Sequence, residues 1–165
     1  MIRIQTRSLP LDADVFAPYG TFVTPPAEPG QRAMYSAHLG CSALGELAFH
    51  TNHVRPSVLP LDITKIERHP YAEQAFVPLD VARYVVAVAP SDPTGAPMLE
   101  QMLAFLLPGS VGVIYQTGVW HLGATVLDRA GSFAVLMRRH GDARDDEFRE
   151  IKPLTLHPQD GLAPL

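Results

Sequence analysis

Four ionisable side chains stand together in the stretch IERHPYAEQAFVPL, residues 66–79, immediately before an apolar run. They are Glu67, Arg68, His69 and Glu73. A carboxylate and an imidazole held close together can transfer protons or bind a divalent transition metal. If residues 67–69 are extended, Glu67 and His69 point to one face of the strand and Arg68 points to the other. The spacing therefore predicts a polar site, provided that the first of these faces is turned to the interior.

A fifth candidate, His121, lies in the stretch YQTGVWHLGATV, at the end of a Gly-containing turn between two predicted strands. A small β-barrel with its chemistry in its mouth would bring this histidine toward the first cluster. Glu67, His69, Glu73 and His121 have the ligand types of a divalent transition-metal site. Taken one at a time, such residues are more often solvated or ion-paired surface features, and Glu73 could equally pair with Arg68.

The elements that must position these residues are short strands. Sixteen prolines and twelve glycines divide the chain into brief segments, which favours strands over long helices. Segments rich in β-branched or aromatic residues predict strands at 3–7, 46–54, 75–79, 83–90, 102–108, 111–116, 124–128, 132–139 and 147–154. One short helix is predicted over 11–20, ended by Pro18, and the charged stretch 142–150 is predicted to be a solvated loop. This pattern is typical of a β-sandwich or barrel.

Length and charge narrow the class of protein. A chain of 165 residues with 47% hydrophobic content is expected to form one domain over residues 1–165. The net charge of -4 without a basic cluster argues against nucleic-acid binding, and no apolar stretch approaches the ~18 residues that cross a bilayer. The single cysteine, Cys41, suits a reducing compartment. We expect a soluble cytoplasmic protein whose partners are small molecules or other subunits.

Four stretches together carry a resemblance to a known family. They are FAPYG (16–20), LPLDITKIERHPYAEQAFVPL (59–79), RYVVAVA (83–89) and GVWH (118–121). With these motifs the chain resembles the ureidoglycolate lyase family. The resemblance implies a mainly β, cupin-like double-stranded β-helix barrel with one or two short helices. It also implies a homodimer that cleaves (S)-ureidoglycolate to glyoxylate and urea in allantoin degradation, with a divalent metal such as nickel as a possible cofactor.

The resemblance also suggests roles for individual residues. His69, His121 and Glu67 are the candidate catalytic groups. Cupins commonly take metal ligands from an H-x-H-x₃₋₄-E segment and a later histidine, which corresponds here to Glu67, His69, Glu73 and His121. The candidate substrate-binding residues are Arg68, for the substrate carboxylate, together with Gln74, Tyr115 and Trp120. Tyr115 and Trp120 are equally compatible with a place in the core.

The chain departs from the family pattern beside the last motif. Leu122 and Gly123 stand where family members usually carry His and Pro, and Gln116 and Thr117 stand where they often carry His and Arg. Two alternatives to the family reaction follow: action on another small hydroxy or keto acid, and a binding dimer without turnover. If Leu122 replaces a working imidazole, Leu122→His, paired with Gly123→Pro, should raise urea release from ureidoglycolate.

Overall fold

The computed structural model describes residues 2–7, 13–40, 45–139 and 145–159. Cys41 lies outside these ranges. The elements in chain order are β1 (Ile2–Arg7), α1 (Ala13–Phe16), β2 (Gly20–Val23), β3 (Glu46–Val54), β4 (Leu61–Arg68), β5 (Gln74–Pro78), β6 (Arg83–Ala89), β7 (Leu103–Pro108), β8 (Gly112–Tyr115), β9 (Trp120–His121), β10 (Thr125–Leu127), β11 (Gly131–Arg139) and β12 (Glu147–His157). Single 3₁₀ turns lie at Ser36–His38 and Leu99–Gln101. The described helices are all too short to cross a membrane.

Six strands close into a barrel. Their order is β6, β7, β1, β12, β4 and β9, and β9 pairs with β6 to complete the ring. β1 runs parallel to both of its neighbours, β12 and β7, and the remaining pairs in the ring are antiparallel. The barrel is filled by apolar side chains, including Ile66, Ala87, Trp120 and Leu154.

A second sheet of five strands, in the order β2, β8, β5, β11, β3, covers one side of the barrel. The layer between them contains Phe76 and Phe133 from the second sheet and Phe105 from the barrel. β6 and β7 alternate between the two cores, with Val86 in the layer and Ala87 in the barrel. Because both faces of these strands are buried, their sequences are almost continuously apolar.

The mainly β, cupin-like barrel with one or two short helices that the sequence predicts is confirmed. Nine predicted strands are found, with ends that differ by a few residues at most. The predicted helix is reduced to Ala13–Phe16, which ends before Pro18, and residues 8–12 lie outside the described ranges. β2, β4 and β9 were missing from the predicted strands, and His121 lies on β9 instead of in a turn. β9 has only two residues, too few to show an alternation of apolar and polar side chains. It is a strand because it pairs with β4 and β6.

Candidate active site

Glu67, His69 and His121 meet where β4 pairs with β9. Glu67 and His121 are direct partners across this pair, and Glu67 Oε1 lies 3.6 Å from His121 Nε2. The two imidazole rings are 5.4 Å apart between centroids. One ligand atom from each of the three residues lies within 4.8 Å of the others. The predicted convergence of these side chains is therefore confirmed, and we call them the Glu67–His69–His121 cluster.

Both imidazoles are fixed by backbone carbonyls. His69 Nδ1 lies 2.7 Å from the carbonyl oxygen of Asp145, and His121 Nδ1 lies 2.9 Å from that of Val119. A carbonyl can only accept, so each Nδ1 carries a hydrogen, and in the neutral form of the ring each Nε2 presents a lone pair. Both Nε2 atoms are buried and have no hydrogen-bond partner among the described residues.

This donor set fits a divalent metal. Metal-binding histidines usually donate the other ring N–H to a carbonyl or carboxylate, as His69 and His121 do here. Leaving two buried nitrogens unpaired is costly; a metal ion would satisfy both, and a substrate proton would satisfy one. Two imidazoles and one carboxylate are ligands typical of first-row transition metals. Glu73, the fourth predicted ligand, is not part of the cluster.

Glu67 supplies the negative charge of the cluster. Its side chain is 19% exposed, so it is the member nearest to solvent. Burial by itself raises the pKa of Glu67, but the neighbouring His121, followed by His69 and Lys65, outweighs this effect and lowers the pKa below its ordinary value. Glu67 is therefore ionised near neutral pH and stabilises positive charge on either imidazole.

Tyr115 is the immediate neighbour of His121. Its ring stacks on the imidazole with centroids 4.1 Å apart and planes inclined by 14°. Burial, reinforced by the charge of Glu67, raises the pKa of Tyr115 far above its usual range. The phenol therefore stays neutral, and Tyr115 orients His121 without acting as a base.

Gln74 is paired in register with Tyr115 on the adjacent strand. Its Nε2 lies 3.7 Å from Met137 Sδ, and its buried Oε1 has no hydrogen-bond partner in the described part of the chain. A buried amide oxygen of this kind is ready to accept a hydrogen bond. The predicted substrate-binding roles of Gln74 and Tyr115 are compatible with these positions.

Arg68 on β4 and Trp120 on β9 lie on the strand faces that point away from Glu67 and His121. The guanidinium of Arg68 is 4.6 Å from the Trp120 ring, and its Nε donates to Glu147 Oε2 at 2.7 Å. Arg68 and the indole of Trp120 each donate at 3.0 Å to the carbonyl of Gly95. Trp120 is fully buried. The prediction that Arg68 and Trp120 bind substrate finds no support here, because strand alternation turns both side chains away from the cluster.

The residues that depart from the family pattern have other partners. Leu122 packs against the barrel core, and a methyl group on Gly123 would lie 3.3 Å from Glu67 Oε1. Thr117 donates to Glu73 Oε1 at 3.0 Å, and the amide of Gln116 donates to the carbonyl of Ala17 at 3.1 Å. Position 122 is therefore not directed at the cluster.

Sequence reasoning missed the residues that hold the imidazoles. Asp145 belongs to the stretch 142–150, which was expected to be a solvated loop, yet Asp145 is buried and its carbonyl fixes His69. Asp146 Oδ1 is also 3.2 Å from His69 Nδ1. Backbone carbonyls carry no sequence signal, so only the fold reveals these contacts.

Comparison with known proteins assigns the family. The model of the family described as ureidoglycolate lyase matches residues 2–156. The chain belongs to the ureidoglycolate lyase family. A ureidoglycolate lyase of Azotobacter vinelandii is 43% identical over 101 residues, covering 60% of each chain. One of Schizosaccharomyces pombe is 36% identical over 109 residues, covering 59% of this chain and 56% of the relative.

The chain thus spans 56–60% of the length of these two relatives. Among solved structures, RmlC from Streptococcus suis in complex with dTDP-D-xylose is similar, with a TM-score of 0.47 and 13% identity. The similarity to RmlC covers 62% of this chain and 49% of that chain.

Proposed function

We propose that the protein is a lyase that cleaves (S)-ureidoglycolate to glyoxylate and urea. The observation that carries the proposal is the pair of buried, unpaired Nε2 atoms of His69 and His121 beside the ionised Glu67. The family of the chain and its relatives named ureidoglycolate lyase support the substrate. The alternatives, another hydroxy or keto acid and a binding dimer, have no observation in their favour.

The reaction needs one proton to move from oxygen to nitrogen. The substrate carbon carries a hydroxyl, a carboxylate and a ureido nitrogen. The Nε2 lone pair of His121 accepts the hydroxyl proton, the C–O bond becomes a carbonyl, and the C–N bond breaks. The imidazolium, stabilised by Glu67 at 3.6 Å, then donates the proton to the departing nitrogen. Glyoxylate and urea leave, and His121 returns to its neutral form.

Three further residues have roles in this scheme. Tyr115 keeps the His121 ring in one plane by stacking on it, and the free Oε1 of Gln74 accepts a hydrogen bond from the substrate. His69 provides the second lone pair of the cluster and serves to orient the substrate hydroxyl. Each role uses a buried group for which the described residues show no other use.

The cluster also fits a divalent ion such as nickel, held by Glu67, His69 and His121. When bound, the ion acts as a Lewis acid that lowers the pKa of the substrate hydroxyl. A lone pair that binds an ion cannot accept a proton. Adding nickel to chelator-treated protein distinguishes these two uses of the Nε2 atoms. If the rate of urea release rises, the Nε2 atoms bind the ion. If the rate falls, they take part in proton transfer.

We further propose that residues 1–165 form one domain that works as a cytoplasmic homodimer. Sharing of β6 and β7 between both cores supports one domain, and the single cysteine is compatible with the cytoplasm. The exposed apolar side chains Leu47 and Phe49, on the edge strand β3, offer a surface for self-association. Light scattering of wild type and Phe49→Ser tests the dimer, which the substitution should weaken.

The deciding experiment measures urea release from (S)-ureidoglycolate by purified protein. Wild type should release urea, and His121→Ala should reduce turnover by about 10²-fold or more. His50→Ala is the matched control, because His50 is exposed on β3 and should leave turnover unchanged. Absence of urea release by folded wild type would refute the proposal, and so would equal losses in the two variants.

A further inference from the structure

Three successive acidic residues, Asp145, Asp146 and Glu147, lie against the segment that carries His69. Glu147 is paired with Arg68 across β12 and β4 and accepts from its guanidinium at 2.7 Å. The carbonyl of Asp145 accepts from His69 Nδ1 at 2.7 Å. The middle residue, Asp146, has its Oδ1 3.2 Å from the same Nδ1. The lyase scheme proposed above gives no role to the carboxylate of Asp146.

The carboxylate of Asp146 is held in place from the other sheet. Arg139, the last residue of β11, donates to Asp146 Oδ2 through its guanidinium. Because β11 belongs to the five-stranded sheet and Asp146 directly precedes β12 of the barrel, this ion pair joins the two sheets beside His69. One carboxylate oxygen therefore faces Arg139 and the other faces the imidazole. The side chain of Asp146 is 30% exposed, so water screens its charge only in part.

His69 has carboxylates on two sides of its ring. A carboxylate oxygen of Glu67, which is ionised near neutral pH, lies within 4.8 Å of a ring nitrogen of His69 in the cluster. A carboxylate attracts a ring hydrogen, because a hydrogen bond to a charged acceptor is about twice as strong as one to a neutral acceptor. Glu67 by itself would therefore favour the hydrogen on Nε2, in competition with the neutral carbonyl at Nδ1. The negative charge of Asp146 opposes this attraction from the Nδ1 side.

We propose that Asp146, anchored by Arg139, is a positioning residue that keeps the single hydrogen of neutral His69 on Nδ1. The Nε2 lone pair then stays turned to the cluster, where it is available to a substrate hydroxyl or a metal ion. In catalysis this inference rests on the lyase activity proposed above, whereas the position of the hydrogen does not depend on that activity. In this role Asp146 acts only through His69.

Long-range proton–nitrogen NMR spectra of the histidine rings test the proposal directly, because they show which nitrogen carries the hydrogen. At about pH 9, where free histidine rings are neutral, wild-type His69 should carry it on Nδ1. In Asp146→Asn a fraction with the hydrogen on Nε2 should appear, since the charge that opposes Glu67 is lost. Arg139→Gln should show the same change to a smaller extent. Arg138→Gln, which removes the neighbouring exposed arginine, should leave the spectrum unchanged.

The spectra can contradict each part of the proposal. A wild-type spectrum with the hydrogen of His69 on Nε2 would overturn it, and so would an Asp146→Asn spectrum equal to wild type. An unchanged spectrum in Arg139→Gln would overturn the anchoring role. His121 is the internal reference, because its Nδ1 donates to the carbonyl of Val119 and its signals should be the same in all variants.

The urea-release assay separates this proposal from the lyase itself. Asp146→Asn should lower kcat/KM about 10-fold, the usual effect of losing a partner that orients an active-site histidine, with Tm unchanged. Glu150→Gln, which removes an exposed carboxylate from the adjoining strand β12, should keep the wild-type rate. Equal rates in the two variants, with an altered His69 spectrum, would refute the part in catalysis. If wild type releases no urea, the lyase is refuted and the spectra alone decide the position of the hydrogen.

Discussion

Gly123 leaves the space in which the Glu67 carboxylate lies. A methyl group at this position would be 3.3 Å from Glu67 Oε1, which is closer than an ordinary van der Waals contact. Gly123→Ala should therefore push Glu67 away from His121 and lower the rate of urea release several-fold, with little change in Tm. Gly40→Ala is the control, because its methyl group would meet nothing closer than 3.8 Å. Equal rates in the two variants would show that the position of Glu67 is not critical.

We expect Leu122→His to have an effect opposite to the one predicted from the sequence. Its side chain packs against the barrel core, so the imidazole of Leu122→His would enter an apolar environment instead of the active site. We expect the free energy of unfolding to fall by about 1–3 kcal/mol and urea release not to rise. Chemical denaturation and the urea assay check both parts. A selective gain of activity on ureidoglycolate would contradict this prediction and restore the one made from the sequence.

At the scale of single residues, alternation explains what could be foreseen. Glu67 and His69 are two apart on an extended segment, so their shared face followed from the sequence. The contacts of Arg68 could not be predicted from the sequence, because its partners Glu147 and Gly95 are 79 and 27 positions away. A charged side chain near a predicted site has many possible partners, and the fold selects among them.

At the scale of elements, Arg68 and Trp120 link the backs of β4 and β9. These strands carry Glu67 and His121 on their other faces. Arg68→Met removes the ion pair with Glu147, the hydrogen bond to Gly95 and the cation–π contact with Trp120. We expect the free energy of unfolding to fall by about 1–3 kcal/mol and turnover to fall with it.

Lys65→Met is the matched control for Arg68→Met. Lys65 lies on the same strand, with its Nζ 4.4 Å from the exposed ring of Phe148. Its substitution should cost no more than about 1 kcal/mol. Denaturation curves of the two variants that superimpose would contradict a special role for Arg68.

A second pair of elements, β6 and β10, is joined by an ion pair that should respond to pH. Arg83 donates to both carboxylate oxygens of Asp128, and these hydrogen bonds lower the pKa of Asp128 below its usual value despite partial burial. The contribution to stability is therefore complete above the unfolded pKa of about 3.9 and is lost as pH falls through the folded pKa.

Arg83→Met should remove this contribution, which we expect to be about 0.5–1 kcal/mol at pH 7. Unfolding free energies of wild type and variant should differ at pH 7 and converge toward pH 2. Arg32→Met, at an exposed loop position, should follow wild type at every pH. A constant difference between wild type and Arg83→Met across this range would exclude Asp128 as its source.

The longer strands could be predicted because their composition and turn residues agree with their pairing. β11 matches its prediction within one residue and pairs on both sides. Of the three strands that were missed, β2 and β9 are short and depend on neighbours distant in sequence. Closure of the barrel through β9 and β6 was equally invisible, since it is a property of six strands together.

At the scale of the whole molecule, binding of a metal to the cluster should stabilise the fold. Nickel at about 100 times its Kd adds about 2.7 kcal/mol to the free energy of unfolding, which raises Tm by about 5–10 °C for a chain of this size. Thermal unfolding with and without nickel measures the shift. His121→Ala should abolish it. A shift that persists in this variant would place the ion elsewhere, and no shift in wild type would exclude binding at this concentration.

The barrel brings together strands that are far apart in the sequence. β1, at residues 2–7, lies between β7 and β12, and Ile2 is in register with Leu154. During synthesis on the ribosome, the ring therefore stays open until residue 157 has left the exit tunnel. Contacts of such long sequence separation slow the search for the native state. Until then the apolar barrel lining is exposed, and exposed apolar surface of this kind favours aggregation.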